Sequence, residues 1–316
     1  MNRLLDIFPN TIKMDLLSEI LTGAGWRADL LARTSMYKAW GLKFPCDKSG
    51  GFHMLSQGSC YVRFKGKSIR MDKGDILFIA KGFDHDLVSS PDQQAMNLLR
   101  FKEVAEKETK SNKIPLTTFV SVRYEVPDFP QHPFFFELPD HILVRSGEIS
   151  SHHPLQTTLV LISQEIDSGI GSDLILQRLT DILLYYVIRH WLEIHPSSSP
   201  GWRTVFKDEK ILSVLEALHK KVSYGWTLEK LSRVVGISRA SLANRFREAL
   251  GCTPMDYLAR LRIEKGKTLL REQNTTLEEV ARTVGYSSAF AFSKAYKRIH
   301  GSSPRFGEGS RMKVGA

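Results

Sequence analysis

Apolar positions recur at threes and fours along residues 227–304, and the pattern occurs twice. In the first copy Leu228, Leu231 and Val235 share one face of a short helix, and Leu242, Phe246 and Leu250 share one face of a second. In the second copy Leu277, Val280 and Val284 do the same, followed by Phe292, Tyr296 and Ile299. Gly236 and Gly285 stand between the members of each pair. Glycine enters the left-handed region without a Cβ clash, so each is expected to end its helix there. Ser238 and Ser287 are expected to cap the helices that follow. Each copy thus predicts a helix-turn-helix. At an offset of 49, eight of the fourteen residues from 227 to 240 are identical to those from 276 to 289. One extra residue then shifts the offset to 50, which holds through Leu242/Phe292, Phe246/Tyr296, Gly251/Gly301 and Pro254/Pro304. Between the copies, Tyr257, Leu258, Leu261, Ile263, Leu269 and Leu270 predict one continuous helix from Met255 to about Arg271, with Pro254 at its start.

The outward faces differ from the inward ones. The first copy carries Arg239, Ala240, Ala243, Asn244 and Arg247; the second carries Ser288, Ala289, Phe290, Ser293, Lys294 and Lys297. Small residues allow close approach, polar ones read base edges and cations hold phosphates, a combination that suits the DNA major groove. A single such pair is equally well a helical bundle with a solvated basic face. Two in tandem, each with glycine turn, cap and inward aromatic, weigh against that. A rod of roughly 17 residues at ~1.5 Å each spans about 25 Å. That length can set two reading helices about one DNA turn apart, on the order of 34 Å. Asn244 is expected to favour an adenine, whose N6 and N7 a carboxamide can pair.

The front of the chain has a different period. From Ala39 to about Leu99, short apolar stretches alternate with turn signals: Phe52–Leu55, Cys60–Phe64, Ser68–Met71, Asp75–Ile79 and Met96–Leu99, divided by Lys65-Gly66-Lys67 and Asp72-Lys73-Gly74. Strands at that spacing predict a β-barrel or sandwich. Residues 126–139, with prolines at 127, 130, 133 and 139 around Phe134-Phe135-Phe136, read as an irregular strap leading to an edge strand at 141–144. Two helices are expected next, at about 155–167 and 173–194; the second is apolar on much of its circumference, which asks for more than one partner surface. His152-His153 is expected to face solvent. Pro196-Ser197-Ser198-Ser199-Pro200-Gly201 predicts a linker, and Asp208 the cap of a helix to about Val222.

Charge sharpens the division. The chain carries a net +10; residues 201–316 hold 22 Lys and Arg against 11 Asp and Glu, whereas residues 1–200 hold 22 against 23. The whole excess lies on the repeated part, as a polyanion-binding domain requires. No large apolar moment faces these cations, which disfavours a membrane surface. No apolar run approaches the ~18 residues of a membrane span. The start, Met1 to Ile7, lacks the apolar core of a signal peptide. Three widely spaced cysteines argue for a reducing compartment, and the cytoplasm is the expected location.

The residues also resemble a known family. Trp226-Thr227-Leu228-Glu229-Lys230-Leu231, Gly236-x-Ser238, Phe246-Arg247, Gly251-x-x-Pro254, Arg262, Val284-Gly285-Tyr286, Phe292-Ser293-Lys294-x-Tyr296-Lys297 and Gly301-x-x-Pro304 look like the DNA-binding domain of AraC/XylS-type transcription regulators. The resemblance covers about 205–306. Asn244 departs from a frequent arginine, and Arg305-Phe306-Gly307-Glu308 from the usual tyrosine–arginine ending. Residues 15–145 resemble the cupin-type sensor domain that precedes such a domain. Gly74-Asp75-x4-Ala80-x-Gly82-x-x-His85 matches the second cupin motif except at Ala80, and Gly58 closes the first after Phe52-His53. A metal cupin needs a further histidine and a glutamate, but the glutamate position is Gly51; two imidazoles are too few for a closed transition-metal site. No metal and no cofactor are therefore expected. The same shortage weakens the alternative, a metal-dependent cupin dioxygenase or isomerase with an appended DNA-binding domain. His53 and His85 stand as effector candidates, with satisfied structural histidines the plainer reading. Cys46 and Cys60 stand as redox candidates, against buried inert thiols; Cys252 reads as a loop residue.

The expected architecture is α+β: a cupin-like β-barrel over 1–150, a helical dimerisation or linker region over 151–200, and an all-α domain over 201–316 with two helix-turn-helix motifs joined by a long helix. The resemblance implies a sequence-specific transcription regulator, an activator by family tendency and not an enzyme. Its expected partners are double-stranded promoter DNA at an asymmetric site, RNA polymerase, a small-molecule or oxidant signal, and a second copy of the chain.

Overall fold

The computed structural model describes residues 15–46, 49–101, 114–126, 132–166, 170–194, 201–271 and 275–304. They form two compact units, one of residues 21–194 and one of residues 201–304 with 15–20. Helix α1 (Leu16–Gly23) straddles the division. The start at 1–7, read above as lacking a signal peptide's core, the linker residues 196–200, the tail from 305, and Pro127 and Pro130 of the strap lie outside the described residues.

In the sheet-rich unit the strands are β1 (Arg27–Met36), β2 (Gly41–Phe44), β3 (Ser49–Gln57), β4 (Ser59–Phe64), β5 (Lys67–Asp72), β6 (Ile76–Ile79), β7 (His85–Val88), β8 (Thr117–Glu125) and β9 (His141–Val144). They form two antiparallel sheets, ordered β1-β8-β3-β6-β9 and β2-β7-β4-β5. The expected barrel is therefore not closed: no strand pair joins the sheets among the described residues. The chain leaves one sheet for the other at Gly58, which has a φ of 76°. A Cβ there would stand 2.0 Å from the Leu116 carbonyl oxygen, so the crossing demands glycine.

Between the sheets lies a core of Met36, Leu42, Leu55, Val62, Met71, Leu77, Leu87 and Phe119. In the four-stranded sheet β4 alternates between half-buried and buried positions, whereas β5 is exposed apart from Met71 and the half-buried Ile69. β6 and most of β8 are buried on both faces, which is why Ile76-Leu77-Phe78-Ile79 does not alternate. Their second cover is helical. Phe52, Phe78 and Tyr124 form an aromatic stack with Trp26 and Phe135, and Tyr124 donates to the Thr180 carbonyl at 2.6 Å. Thr180 belongs to α4 (Ser172–Ile194), which pairs with α3 (Pro154–Glu165).

Three local expectations change. Met96–Leu99 is not a strand: Met96 makes a single bridge to Leu42, and the Asn97 side chain accepts from Arg100 N at 2.9 Å, starting a helical turn at 98–101. The strap contains a short helix, α2 (Pro133–Glu137), with proline in its first turn and His132 capping Phe134 N. His153 is half-buried and not solvent-facing; its ring caps α3 by accepting from Leu155 N at 3.2 Å.

The second unit is helical: α5 (Trp202–Val205), α6 (Glu209–Lys220), α7 (Leu228–Val235), α8 (Arg239–Leu250), α9 (Pro254–Arg271), α10 (Leu277–Val284) and α11 (Ala289–His300). Asp208 caps α6 as expected, accepting from Lys210 N and Ile211 N. Among the described residues no helix is long and apolar enough to cross a membrane.

Candidate nucleic-acid interface

Helices α7 and α8 form one pair and α10 and α11 another, and each pair is held by the same devices. Thr227 caps α7 by accepting from Lys230 N, and Thr276 caps α10 in a reciprocal capping box with Glu279. Gly236 and Gly285 end those helices at φ values of 65° and 93°. Ser238 then caps α8 through Ser241 N. In the second pair the cap is Ser288, accepting from Ala291 N, and not Ser287. The reason is the extra residue: it sits inside the turn, where Tyr286-Ser287 replaces the single Ile237. The offset has therefore already become 50 where the second helix begins.

That register aligns the outward faces position by position: Arg239 with Ala289, Ala240 with Phe290, Ala243 with Ser293, Asn244 with Lys294, and Arg247 with Lys297. The inward faces behave as their period requires. Leu242 and Phe246 of α8 and Phe292 of α11 are fully buried, and Tyr296 nearly so. Outside, Arg239, Ala240, Asn244, Arg247, Lys294 and Lys297 are exposed, and Phe290 is 79% exposed. Ala243, Ser288, Ala289 and Ser293 are half-buried beside them, and the Ser288 hydroxyl is already engaged as a cap. No side chain of Arg239, Asn244, Arg247, Lys294 or Lys297 makes a hydrogen bond or ion pair among the described residues. Neighbouring cations are committed instead: Arg245 to Asp208 at 3.6 Å and Arg233 to Glu229. The structure thus keeps free the cations that the period assigned to the outer faces.

Helix α9 carries both pairs. Thr253 caps it by accepting from Asp256 N. Tyr257 and Leu258 are buried toward its start, Ile263 and Leu270 farther along. Tyr257 packs edge-on against Phe246 of α8, and Ile263 and Leu270 join Val280, Val284, Phe292 and Tyr296.

The sensor candidates lie in the sheet-rich unit. His53 (β3) and His85 (β7) are buried, with their Nε2 atoms 2.7 Å apart. His85 Nδ1 is 2.9 Å from the Phe83 carbonyl, which can only accept, so that nitrogen carries the proton. His85 Nε2 then accepts from His53 Nε2–H, and His53 Nδ1 accepts from the Ser121 hydroxyl at 2.8 Å. Every ring nitrogen is satisfied in one tautomeric arrangement. Burial pushes both imidazoles below their ordinary pKa, His53 far below. Among the described residues no third His, Cys, Asp or Glu joins them. The residues present do not fit the metal centre that a cupin fold suggests. The second-motif carboxylate, Asp75, is instead buried in structural bonds, to Arg145 at 2.8 Å and to Asp72 N and Ser146 N.

His85 also lines an open cavity of about 820 Å³, together with the apolar Phe44, Phe64, Leu98 and Leu99 and the cationic Lys43, Arg63 and Lys67. Cys60 lies in the core between the sheets, and burial pushes its thiol up to about 12. The Cys46 thiol is raised by partial burial as well, and so is that of Cys252. All three cysteines are free thiols.

Comparison with known proteins places both units. Residues 15–193 match a family model described as cupin, and residues 231–306 one described as a helix-turn-helix domain. A Streptomyces lividans protein described as an AraC-like transcription regulator is 28% identical over 295 residues, covering 92% of this chain and 97% of its own. The transcriptional regulator MtrA of Neisseria gonorrhoeae is 23% identical over 309 residues with the same coverage of each chain. The chain belongs to the AraC-type transcription regulators with a cupin domain. Like these relatives, this AraC-type chain is a regulator and not an enzyme. Its cupin match ends at residue 193, so all but the last residue of α3 and α4 falls inside the cupin family's own span.

Proposed function

We propose that the chain is a sequence-specific activator that reads an asymmetric promoter site with α8 and α11. One observation carries this: free cations occupy equivalent outward positions on two equivalently capped helices, Arg247 on α8 and Lys297 on α11. Asn244 and Phe290 supply direct readout, a carboxamide for adenine and an apolar ring for a thymine methyl. Arg239, Ala240, Ala243, Ser288, Ser293 and Lys294 complete the two contact faces. The faces differ at every aligned position, so the bound site has a direction. Such a chain works on promoter DNA in the cytoplasm beside RNA polymerase.

The division of labour follows the charge: residues 1–150 sense, residues 201–316 bind, and the helices between, 151–200, pass the state along. A small molecule is the better signal than an oxidant. The cavity above His85 has the volume of an ordinary ligand site, whereas the thiols of Cys46 and Cys60 are raised away from the reactive thiolate. Leu174, Ile182 and Tyr185 leave an exposed apolar stripe on α4, which a second copy would cover.

The test is the salt dependence of binding. R247A and K297A should each weaken binding to all duplexes and lower the slope of log K against log salt by about one. An unchanged slope for both would remove the two faces from the phosphate interface and end the reading.

A further inference from the structure

The two reading pairs do not simply hang from α9. The turn of the second meets the segment that leads into the first, and one side chain joins them. Arg262, near the middle of α9, donates from Nε to the Val222 carbonyl at 2.9 Å and from Nη2 to the Tyr224 carbonyl at 2.8 Å. Both carbonyls belong to the connection between α6 and α7, the segment that leads into the first pair. The same guanidinium lies over the ring of Tyr286, 5.9 Å from its centroid, and Tyr286 follows the left-handed turn of the second pair. At that turn Gly285 is closed in. A Cβ on it would stand 2.7 Å from Ser223 Cα, 2.8 Å from Ser223 O and 2.9 Å from Arg262 Nη2. The turn of the second pair therefore abuts the backbone segment that leads into the first, with Arg262 bonded to that segment and stacked on the turn's tyrosine.

From this junction we propose that Arg262 is a positioning residue that fixes the separation and phase of the two half-sites the chain accepts. This rests on the reading above, that α8 and α11 enter DNA. The physical argument concerns degrees of freedom. A helix of 18 residues sets the length between the pairs, about 27 Å, but leaves each pair free to rock about its own packing contact. A guanidinium with two fixed carbonyl acceptors and a ring beneath it removes that freedom, because its donors form a planar fork. Inserting one base pair moves a half-site by about 3.4 Å and turns it by about 35°. A latched pair of readers cannot follow both changes; an unlatched pair can follow them in part. Lysine is no substitute, since one ammonium cannot span both carbonyls and stack as a plane.

The experiment is selection from a random-sequence duplex library about three helical turns long, using the full chain and the variants R262A and R262K. The wild-type chain should enrich two sequence blocks at one separation. Both variants should enrich the same two blocks over a range of separations. On the wild-type consensus, one inserted base pair should cost the wild-type chain about tenfold in affinity, the size of a lost base contact, and cost either variant less than about threefold. R262K keeps the charge and the stem, so it carries the test should R262A fail to fold. A merely structural arginine would lower affinity for all separations together; that result, or a single unchanged separation in the variants, overturns the proposal. If the wild-type chain enriches nothing, the DNA reading itself falls and the latch with it. Enrichment of only one block by the wild type would retain DNA binding and overturn the latch.

Discussion

Gly266 lies against the ring of Phe292: a Cβ on this mid-helix glycine would stand 2.5 Å from Phe292 Cε2 and 2.7 Å from Cζ. The ring cannot withdraw, because it is fully buried among Ile263, Val280 and Val284. Glycine within a helix ordinarily costs about 1 kcal/mol relative to alanine. Here the overpacking penalty, about 1–3 kcal/mol, opposes that gain. G266A should therefore bring no gain in stability and a loss of up to roughly 2 kcal/mol, read from urea unfolding of the full chain. A rise in stability would mean that Phe292 does not seat on α9 as described.

Asn244 is exposed and unengaged on the outer face of α8. Asn244→Ala should change preference at a single base pair by about 1–3 kcal/mol and leave other positions alone. Competition binding against a set of single-base variants measures this. A uniform loss across the set contradicts a reading role.

The His53–His85 pair gives the sheet-rich unit a pH dependence of defined sign. Burial holds both imidazoles below the ordinary value near 6.5. As pH falls below about 6.5 the unfolded chain takes up these protons before the folded one does. The contribution of the pair is whole above that pH and is lost as pH falls through the folded values. Unfolding free energy should thus decline from pH 6.5 toward 5, and more shallowly in H53Q and H85Q. Parallel curves for all three proteins would show that the pair takes up protons in the fold as it does in the unfolded chain.

Cys60 should be inert. With its thiol at about 12, on the order of one molecule in 10⁵ carries the thiolate at neutral pH. Alkylation followed by mass spectrometry should leave Cys60 unmodified until the chain unfolds. Rapid modification in the native state would restore it as an oxidant sensor. Cys60→Ser should cost about 1–3 kcal/mol by placing a hydroxyl among apolar neighbours.

What was legible in the chain was what local chemistry dictates. Thr227, Gly236, Ser238, Asp208 and Thr276 act within a turn of their own positions, and each does what its residue type predicts. The place of the extra residue was less legible, since Ser287 and Ser288 offer the same hydroxyl and only the helix start distinguishes them. In the sheet-rich unit, β1 and β8 escaped notice. β8 is buried on both faces and so lacks the alternating period, and its partners in β1 lie some ninety residues away. The closure of the barrel depended on pairings between strands that no local pattern encodes. His53 and His85 were named from motif spacing, but Ser121, which completes the hydrogen bonding of His53, comes from 68 residues downstream of it. Arg262 appeared only as one letter of a family pattern, because its acceptors are backbone carbonyls, and those have no sequence.

The residue added to the second turn also limits how this duplication can change. By identity the copies align at an offset of 49 up to Ala240/Ala289, yet their second helices correspond at 50. A chimaera spliced on that identity beyond the turn would deliver its second helix one residue out of phase, about 100° round its axis. Phe246 or Phe292 would leave the core, and a reading side chain would enter it. The halves can drift apart freely, but neither can serve as a template to repair the other.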